Sequence, residues 1–120
     1  MPERLEVLKD EGIIQVISTG NISGLDLKVS RDGLVSMNKL HSYNKLFIDA
    51  TGVVKVDTLD AFEHGESLSR NEALRRYKYA VLVSNNSLKY IHFIETVCCN
   101  RGAKMKLFTE KEEAISWLNS

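Results

Sequence analysis

Asp57, Asp60 and His64 stand at i, i+3 and i+7 of a stretch with helical spacing. That spacing gathers two carboxylates and an imidazole on one helix face. A divalent metal accepts those ligand types. The plainer reading is a solvated face with a weak Asp60–His64 pair, and it is preferred because exposed ion pairs contribute little. Beside them, Thr58 offers a hydroxyl at the helix entrance. A phosphate on it would sit at a helix N-terminus, which attracts anions, while Asp57 and Asp60 would repel it. The plainer reading of Asp57 and Thr58 is capping, in which short polar side chains satisfy free N–H groups for about 1 kcal/mol.

A second group is basic. Arg70, Arg75, Arg76 and Lys78, with Tyr77 and Tyr79 interleaved, form the one basic cluster in the chain. Cations among aromatic rings can bind single-stranded nucleic acid. Against this, Glu63, Glu66 and Glu72 dilute the field, and cations at a helix end also serve its dipole. Arg75, Arg76 and Lys78 are the weaker candidate patch, suited to an acidic surface on a partner protein. Cys98 reads as a core residue, small and apolar, with Cys99 off that face. Neither cysteine has an activating base nearby in sequence, which a nucleophile would need. His41 and His92 read as surface or rim residues. No Gly-x-Ser-x-Gly, phosphate loop, Gly-x-Gly-x-x-Gly or His-Glu-x-x-His occurs, so no motif argues for catalysis, and no cofactor or metal is expected.

The 120 residues fit one domain, taken as residues 1–120. An apolar fraction of 43% and a charged fraction of 27% are ordinary for a globular protein. Lys plus Arg equals Asp plus Glu, at 16 each, so no bulk charge draws the chain to nucleic acid or anionic membrane. No window approaches the ~18 apolar residues of a membrane span. The opening MPERLEVLKDEG lacks the apolar run of a signal peptide. These readings predict a cytoplasmic protein. Cys98 and Cys99 are adjacent, where a mutual disulfide would be strained.

The elements that must position these residues can be read in order. RLEVLKD, Glu11-Gly12 and IIQVISTG predict a β-hairpin, with Leu5, Val7 and Lys9 alternating in the first arm. In residues 21 to 44, Val29, Gly33, Leu34, Met37 and Leu40 fall on one helical stripe, and Ser30 could cap a helix of about three turns. Leu25 to Val29 also alternates like a strand, so that boundary stays open. Lys45 to Asp49 predicts a short buried strand, followed by a turn at Thr51-Gly52. A helix from about Thr58 to Ser69 should bury Leu59, Phe62 and Leu68, with Gly65 marking either close packing or a weak point. Tyr79 to Ser84 predicts a strand. Asn85-Asn86-Ser87 should cap a helix that buries Leu88, Ile91, Ile94, Val97 and Cys98 and stops at Gly102. Lys104 to Phe108 predicts the last strand. Thr109-Glu-Lys-Glu fits a capping box for a final helix carrying Ala114, Ile115 and Leu118, with Trp117 beside them. The order is β-β-α-β-α-β-α-β-α. It predicts an α/β fold, a mostly parallel mixed five-stranded sheet with helices packed on it.

That order resembles the STAS domain of anti-sigma-factor antagonists, and more closely the SpoIIAA-like (STAS-like) proteins. Two stretches carry the resemblance. LFIDATGVVKVDTLDAF, residues 46 to 62, resembles the signature of an apolar strand ending in Asp, a small-residue-Gly-Val turn and an Asp-Ser-Ser-Gly helix start. KMKLFTEKEEAISWL, residues 104 to 118, resembles the SpoIIAA-like ending of a strand finishing in Phe, a charged cap and Glu-Ala-x-x-Trp-Leu. The resemblance implies that Asp57 matches the motif Asp and that Thr58 matches the serine phosphorylated by regulatory kinases in that family. The second serine is Leu59 here and the glycine is Asp60.

What the resemblance implies is a non-enzymatic protein-interaction module, with a phosphorylation response as an option, and with Asp57, Thr58 and Asp60 at its contact. The implied partner is a protein, a kinase or an anti-sigma-like regulator. Nucleic acid is not expected, and a homodimer through an exposed edge strand is compatible with the fold. The alternative is a small apolar ligand or lipid-binding module, since the fold also resembles CRAL-TRIO lipid-transfer domains. That reading requires a pocket of several hundred Å³, about the size of a ligand site. A third reading is a weak enzyme using the Asp57, Asp60 and His64 face.

Overall fold

The computed structural model describes residues 3–8, 12–41 and 43–120. Lys9, the turn residue Glu11 and the side chain of His41 lie outside the described residues. Ten elements follow one another: β1 (Glu3–Leu8), β2 (Ile13–Ile22), α1 (Gly24–His41), β3 (Lys45–Val56), α2 (Thr58–Arg70), α3 (Glu72–Arg75), β4 (Lys78–Leu82), α4 (Leu88–Cys99), β5 (Lys104–Phe108) and α5 (Lys111–Leu118). The strands form one sheet in the order β1-β2-β3-β4-β5. β1 runs antiparallel to β2, and every other neighbouring pair is parallel. The expected α/β fold with its mixed five-stranded sheet is therefore the observed one.

Successive residues of the interior strands feed opposite faces of this sheet, as the pleat requires. Ile14, Leu46 and Tyr79 pack into the larger core beneath α1 to α4, while Ile13, Phe47 and Ala80 meet Ala114 and Leu118 of α5 on the other face. A strand buried on both faces reads as a continuous apolar run, which is why β4 stands out in the sequence. Two buried tyrosines tie helices to that strand. Tyr77 donates its hydroxyl to the Leu34 carbonyl at 2.9 Å, and Tyr79 donates to the Leu74 carbonyl at 2.5 Å.

Several elements depart from expectation. α1 starts at Gly24 and has 18 residues, not three turns. Its start is fixed by Ser23 and Asp26, since the Ser23 hydroxyl accepts the Asp26 N–H and the Asp26 carboxylate accepts the Ser23 N–H. This reciprocal cap overrules the strand-like alternation of residues 25 to 29. Ser30 is buried inside the helix, and Leu25, Val29 and Leu40 are exposed, because Leu27, Ser30 and Leu34 make the inward stripe. β3 does not stop at Asp49. It continues to Val56, because Thr19 to Ile22 of β2 supply it with a partner through two register shifts. Gly52 allows this approach, as a Cβ there would lie 2.9 Å from the Thr19 methyl. Ser87 occupies the N-cap position of α4, but its hydroxyl accepts the Ser84 N–H instead of a helix N–H, and Leu88 is exposed. Glu110, not Thr109, occupies the N-cap of α5, with no side-chain cap bond. A short helix, α3, is added where no apolar stripe predicts one; the Asn71 side chain caps it through the Leu74 N–H.

Of the three residues expected to face inward on α2, Leu68 does and Leu59 and Phe62 do not. Ala61, Gly65, Leu68 and Ser69 are buried, whereas Leu59 and Phe62 are exposed. The cause is the closeness of α4. A Cβ on Gly65 would lie 2.9 Å from Val97 Cβ and 3.2 Å from the Ile94 carbonyl oxygen. Only small residues fit such a contact, so the bulky ones rotate outward. Gly65→Ala should therefore destabilise the protein by up to about 2 kcal/mol, because overpacking costs about 1–3 kcal/mol and the helix recovers about 1 kcal/mol of propensity. Urea unfolding with an unchanged m-value is the measurement; equal or greater stability would show that α4 yields freely.

Candidate functional site at the β3–α2 junction

β3 delivers the chain to Asp57, the N-cap of α2, which has extended backbone angles. Its carboxylate accepts the Leu59 N–H at 3.0 Å. Thr58 is the first helical residue, and it is exposed. Its hydroxyl forms no hydrogen bond with any described residue. Capping therefore belongs to Asp57 alone, and Thr58 is left with an unengaged hydroxyl at a positive helix end. Asp60 leans away toward α1. A Cβ placed on Gly24 would lie 2.6 Å from its Oδ1, so the carboxylate rests against the first residue of α1.

Several apolar side chains on the elements that meet here are exposed. Leu59 is 63% exposed, Val54 on β3 is 62% exposed, and Leu25, next to the glycine that Asp60 touches, is 70% exposed. Nothing in the helix pattern distinguished Leu59 as outward; its exposure follows from the narrow α2–α4 contact.

His64 does not join Asp57 and Asp60 on a solvated face, and no Asp60–His64 ion pair forms. The ring lies against the interior, and its Nδ1 accepts a hydrogen bond from Arg31 Nη1 at 2.9 Å. A guanidinium has only donors, so the ring proton resides on Nε2. Burial, reinforced by the Arg31 charge, pushes His64 from its ordinary 6.5 down to about 3. Close by, the Ser18 hydroxyl donates to the Glu3 carboxylate across the β1–β2 pair. Among the described residues, no group of three or more His, Cys, Asp or Glu side chains is placed to hold a metal ion.

His64, Glu3 and Ser18 line one end of an otherwise apolar cavity between sheet and helices, with Ile48, Val81 and Ile94 among its walls. Its volume is about 40 Å³. That is room for a few waters at about 10–15 Å³ each, and far below the ~300 Å³ at which ligand sites begin. Among the described residues, the cavity between sheet and helices is too small to favour the lipid-binding alternative.

The basic cluster is dispersed. Tyr77 and Tyr79 are fully buried, so neither ring can stack on a base. Arg70 pairs with Glu66 at 3.0 Å and Arg76 with Glu72 at 2.9 Å. Lys78 lies 4.5 Å over the Trp117 ring and donates to the Trp117 carbonyl, which commits it to the end of α5. Arg75 is exposed. Cys98 is fully buried, and burial pushes its thiol up to about 12; Cys99 is exposed, as the sequence implied. His92 is exposed, also as expected. No helix among the described residues is long and apolar enough to cross a membrane.

Three solved structures share this architecture along nearly the whole chain. The anti-sigma factor antagonist SpoIIAA in its unphosphorylated form matches with a TM-score of 0.64 at 12% identity, covering 98% of each chain. An anti-sigma factor antagonist from Mycobacterium paratuberculosis matches with a TM-score of 0.66 at 13% identity, covering 98% of this chain and 93% of its own. An uncharacterised Shewanella loihica protein with a SpoIIAA-like fold matches with a TM-score of 0.64 at 17% identity, covering 97% of this chain and 91% of its own. No family model and no curated protein matches the sequence. The chain has the SpoIIAA fold that the two quoted stretches implied.

Two outcomes check this geometry. Asp57→Ala should cost about 1 kcal/mol of stability through the lost cap, while Thr58→Ala should stay within about 0.5 kcal/mol, as surface changes do; chemical denaturation of both variants is the measurement. For His64, the unfolded chain takes up a proton near pH 6.5 and the folded chain only near 3. Stability should therefore fall as pH drops through that window, by at most about 1.4 kcal/mol per pH unit from this group. NMR should find the His64 ring neutral throughout the mildly acidic range. His64→Gln, which keeps an acceptor for Arg31, should remove this part of the slope.

Proposed function

We propose that the chain is a non-enzymatic protein-interaction module related in role to anti-sigma-factor antagonists, with the β3–α2 junction as its contact surface. In this reading Thr58 is the residue whose phosphorylation switches binding, and Asp57 and Asp60 frame it. The supporting observation is the exposed, unbonded Thr58 hydroxyl at the start of α2, with exposed apolar side chains on the elements that meet there: Leu59 beside it, Val54 on β3 and Leu25 on α1. Grouped exposed apolar side chains are a mark of protein contact. A phosphate on Thr58 would meet the positive end of α2 and put about two negative charges among those apolar groups. A partner seated on them would be repelled. The resemblance of fold to two anti-sigma factor antagonists supports a protein partner, and a cytoplasmic setting belongs to the same proposal.

The test has two arms. Protein isolated from its native cells is searched by mass spectrometry for phosphate on Thr58, and partners captured by wild type are compared with those of Thr58→Glu and Leu59→Asp. Both variants should fold normally and lose the partner, by about tenfold or more, since a charge placed against an apolar contact costs several kcal/mol. An unmodified Thr58 together with undiminished capture by Thr58→Glu would overturn the switch. Undiminished capture by Leu59→Asp would move the contact elsewhere.

A further inference from the structure

A partly buried guanidinium with no carboxylate to hold is an unusual economy. Arg31, in the middle of α1, has five N–H donors and spends one on neutral His64. Glu3, Asp32 and Glu63 are near enough to act on its charge, yet among the described residues none lies within ion-pairing distance of it. Asp32 is held instead by Lys28 at 3.1 Å. Burial pushes the Arg31 guanidinium down from its ordinary value, which states the same cost in another way: the charge is desolvated without full compensation.

Arg31 forms one wall of an open groove of about 340 Å³ between α1 and the corner where α2 meets α3. Arg70, Ser67, Asn71 and the Lys28-paired Asp32 line the same groove, together with Val35 and Leu74. Arg70 is held by Glu66, but Glu66 has a second cation in Arg101 at 3.7 Å. Arg70 can therefore turn into the groove without leaving Glu66 unpaired. The Ser67 hydroxyl forms no hydrogen bond with a described residue. Asn71 uses its amide oxygen to cap α3 and keeps its NH₂ donors. Two guanidiniums, a hydroxyl and an amide NH₂ thus line one depression whose single carboxylate, Asp32, is neutralised by Lys28, and donors in that combination match the oxygens of a planar or tetrahedral anion.

We infer that this groove binds a small oxyanion, a phosphate monoester or a carboxylate, between Arg31 and Arg70, with Ser67 and Asn71 supplying further donors. The site is separate from the β3–α2 junction, so neither proposal depends on the other. Binding would give Arg31 the anion it lacks.

Inorganic phosphate, phenyl phosphate and benzoate are titrated into the full chain at constant ionic strength, with backbone amides and the Arg side-chain Nε–H signals followed by NMR. The expected result is saturable movement of signals from Arg31, Ser67, Arg70 and Asn71, with a Kd of about 1 mM for the better head group. Stronger binding of phenyl phosphate or of benzoate identifies that head group as phosphate or carboxylate. Arg31→Lys, which keeps the charge and loses the planar fork, and Arg70→Gln should each weaken binding about tenfold, as loss of a charge-assisted pair does. Arg76→Gln, on a residue outside the groove, should leave it unchanged. Arg70 is mostly exposed, so its variant tests the site even if Arg31→Lys impairs folding. Shifts that grow without saturating, or that persist equally in Arg70→Gln, would overturn the inference.

Discussion

The arrangement at the candidate site depends on β3 outrunning β4. Lys45 to Asp49 pair with β4, but Gly52 to Val56 have only β2 beside them. The second half of β3 is therefore a ledge that carries the chain past the end of β4 before α2 begins. Asp57, Thr58 and Leu59 sit where they do because that ledge exists. It exists because Gly20, with φ near 75°, lets β2 bend through its register shift and stay paired. A left-handed residue at a bulge is a position for glycine. The Asp49 carboxylate, expected at a strand end, instead accepts the Thr51 N–H and hydroxyl within the ledge.

Much of the fold was legible because local pattern and final environment agree. Tyr79 to Leu82 are apolar on both sides and sit between two covering layers. Ile91, Ile94, Val97 and Cys98 lie on one helical stripe and all face the core. Gly102 ends that helix with a positive φ, as its place after Cys99 implied. The failures share a cause too. Val29, Leu40 and Leu59 are apolar at plausible helical positions, but whether such a residue is buried depends on what packs opposite, and no periodicity records that. At Thr51-Gly52 the residue types favour a turn, and distant pairing with Thr19 overrides them.

The site was less legible than the fold. The resemblance located Asp57 and Thr58, and spacing placed them at a helix start, but sequence alone could not divide capping between neighbours. His64 was misread because its partner is Arg31, 33 residues earlier and on another helix. An arginine in mid-helix beside Asp32 reads as a solvated charge. Only the packing of α1 against α2 reveals that it faces inward.

The Gly65–Val97 contact fixes more than a helix spacing. Moving α2 by one turn would bring Ala61 or Ser69 opposite Val97, and either adds a side chain where the present approach leaves no room. The register of α2 is thereby locked to α4, and the height of Thr58 above the sheet is locked with it. A surface held in this way does not have to be ordered when something docks on it. Under the proposed function, the entropic cost of association would fall mainly on the partner, and recognition would follow lock-and-key shape matching, not induced fit.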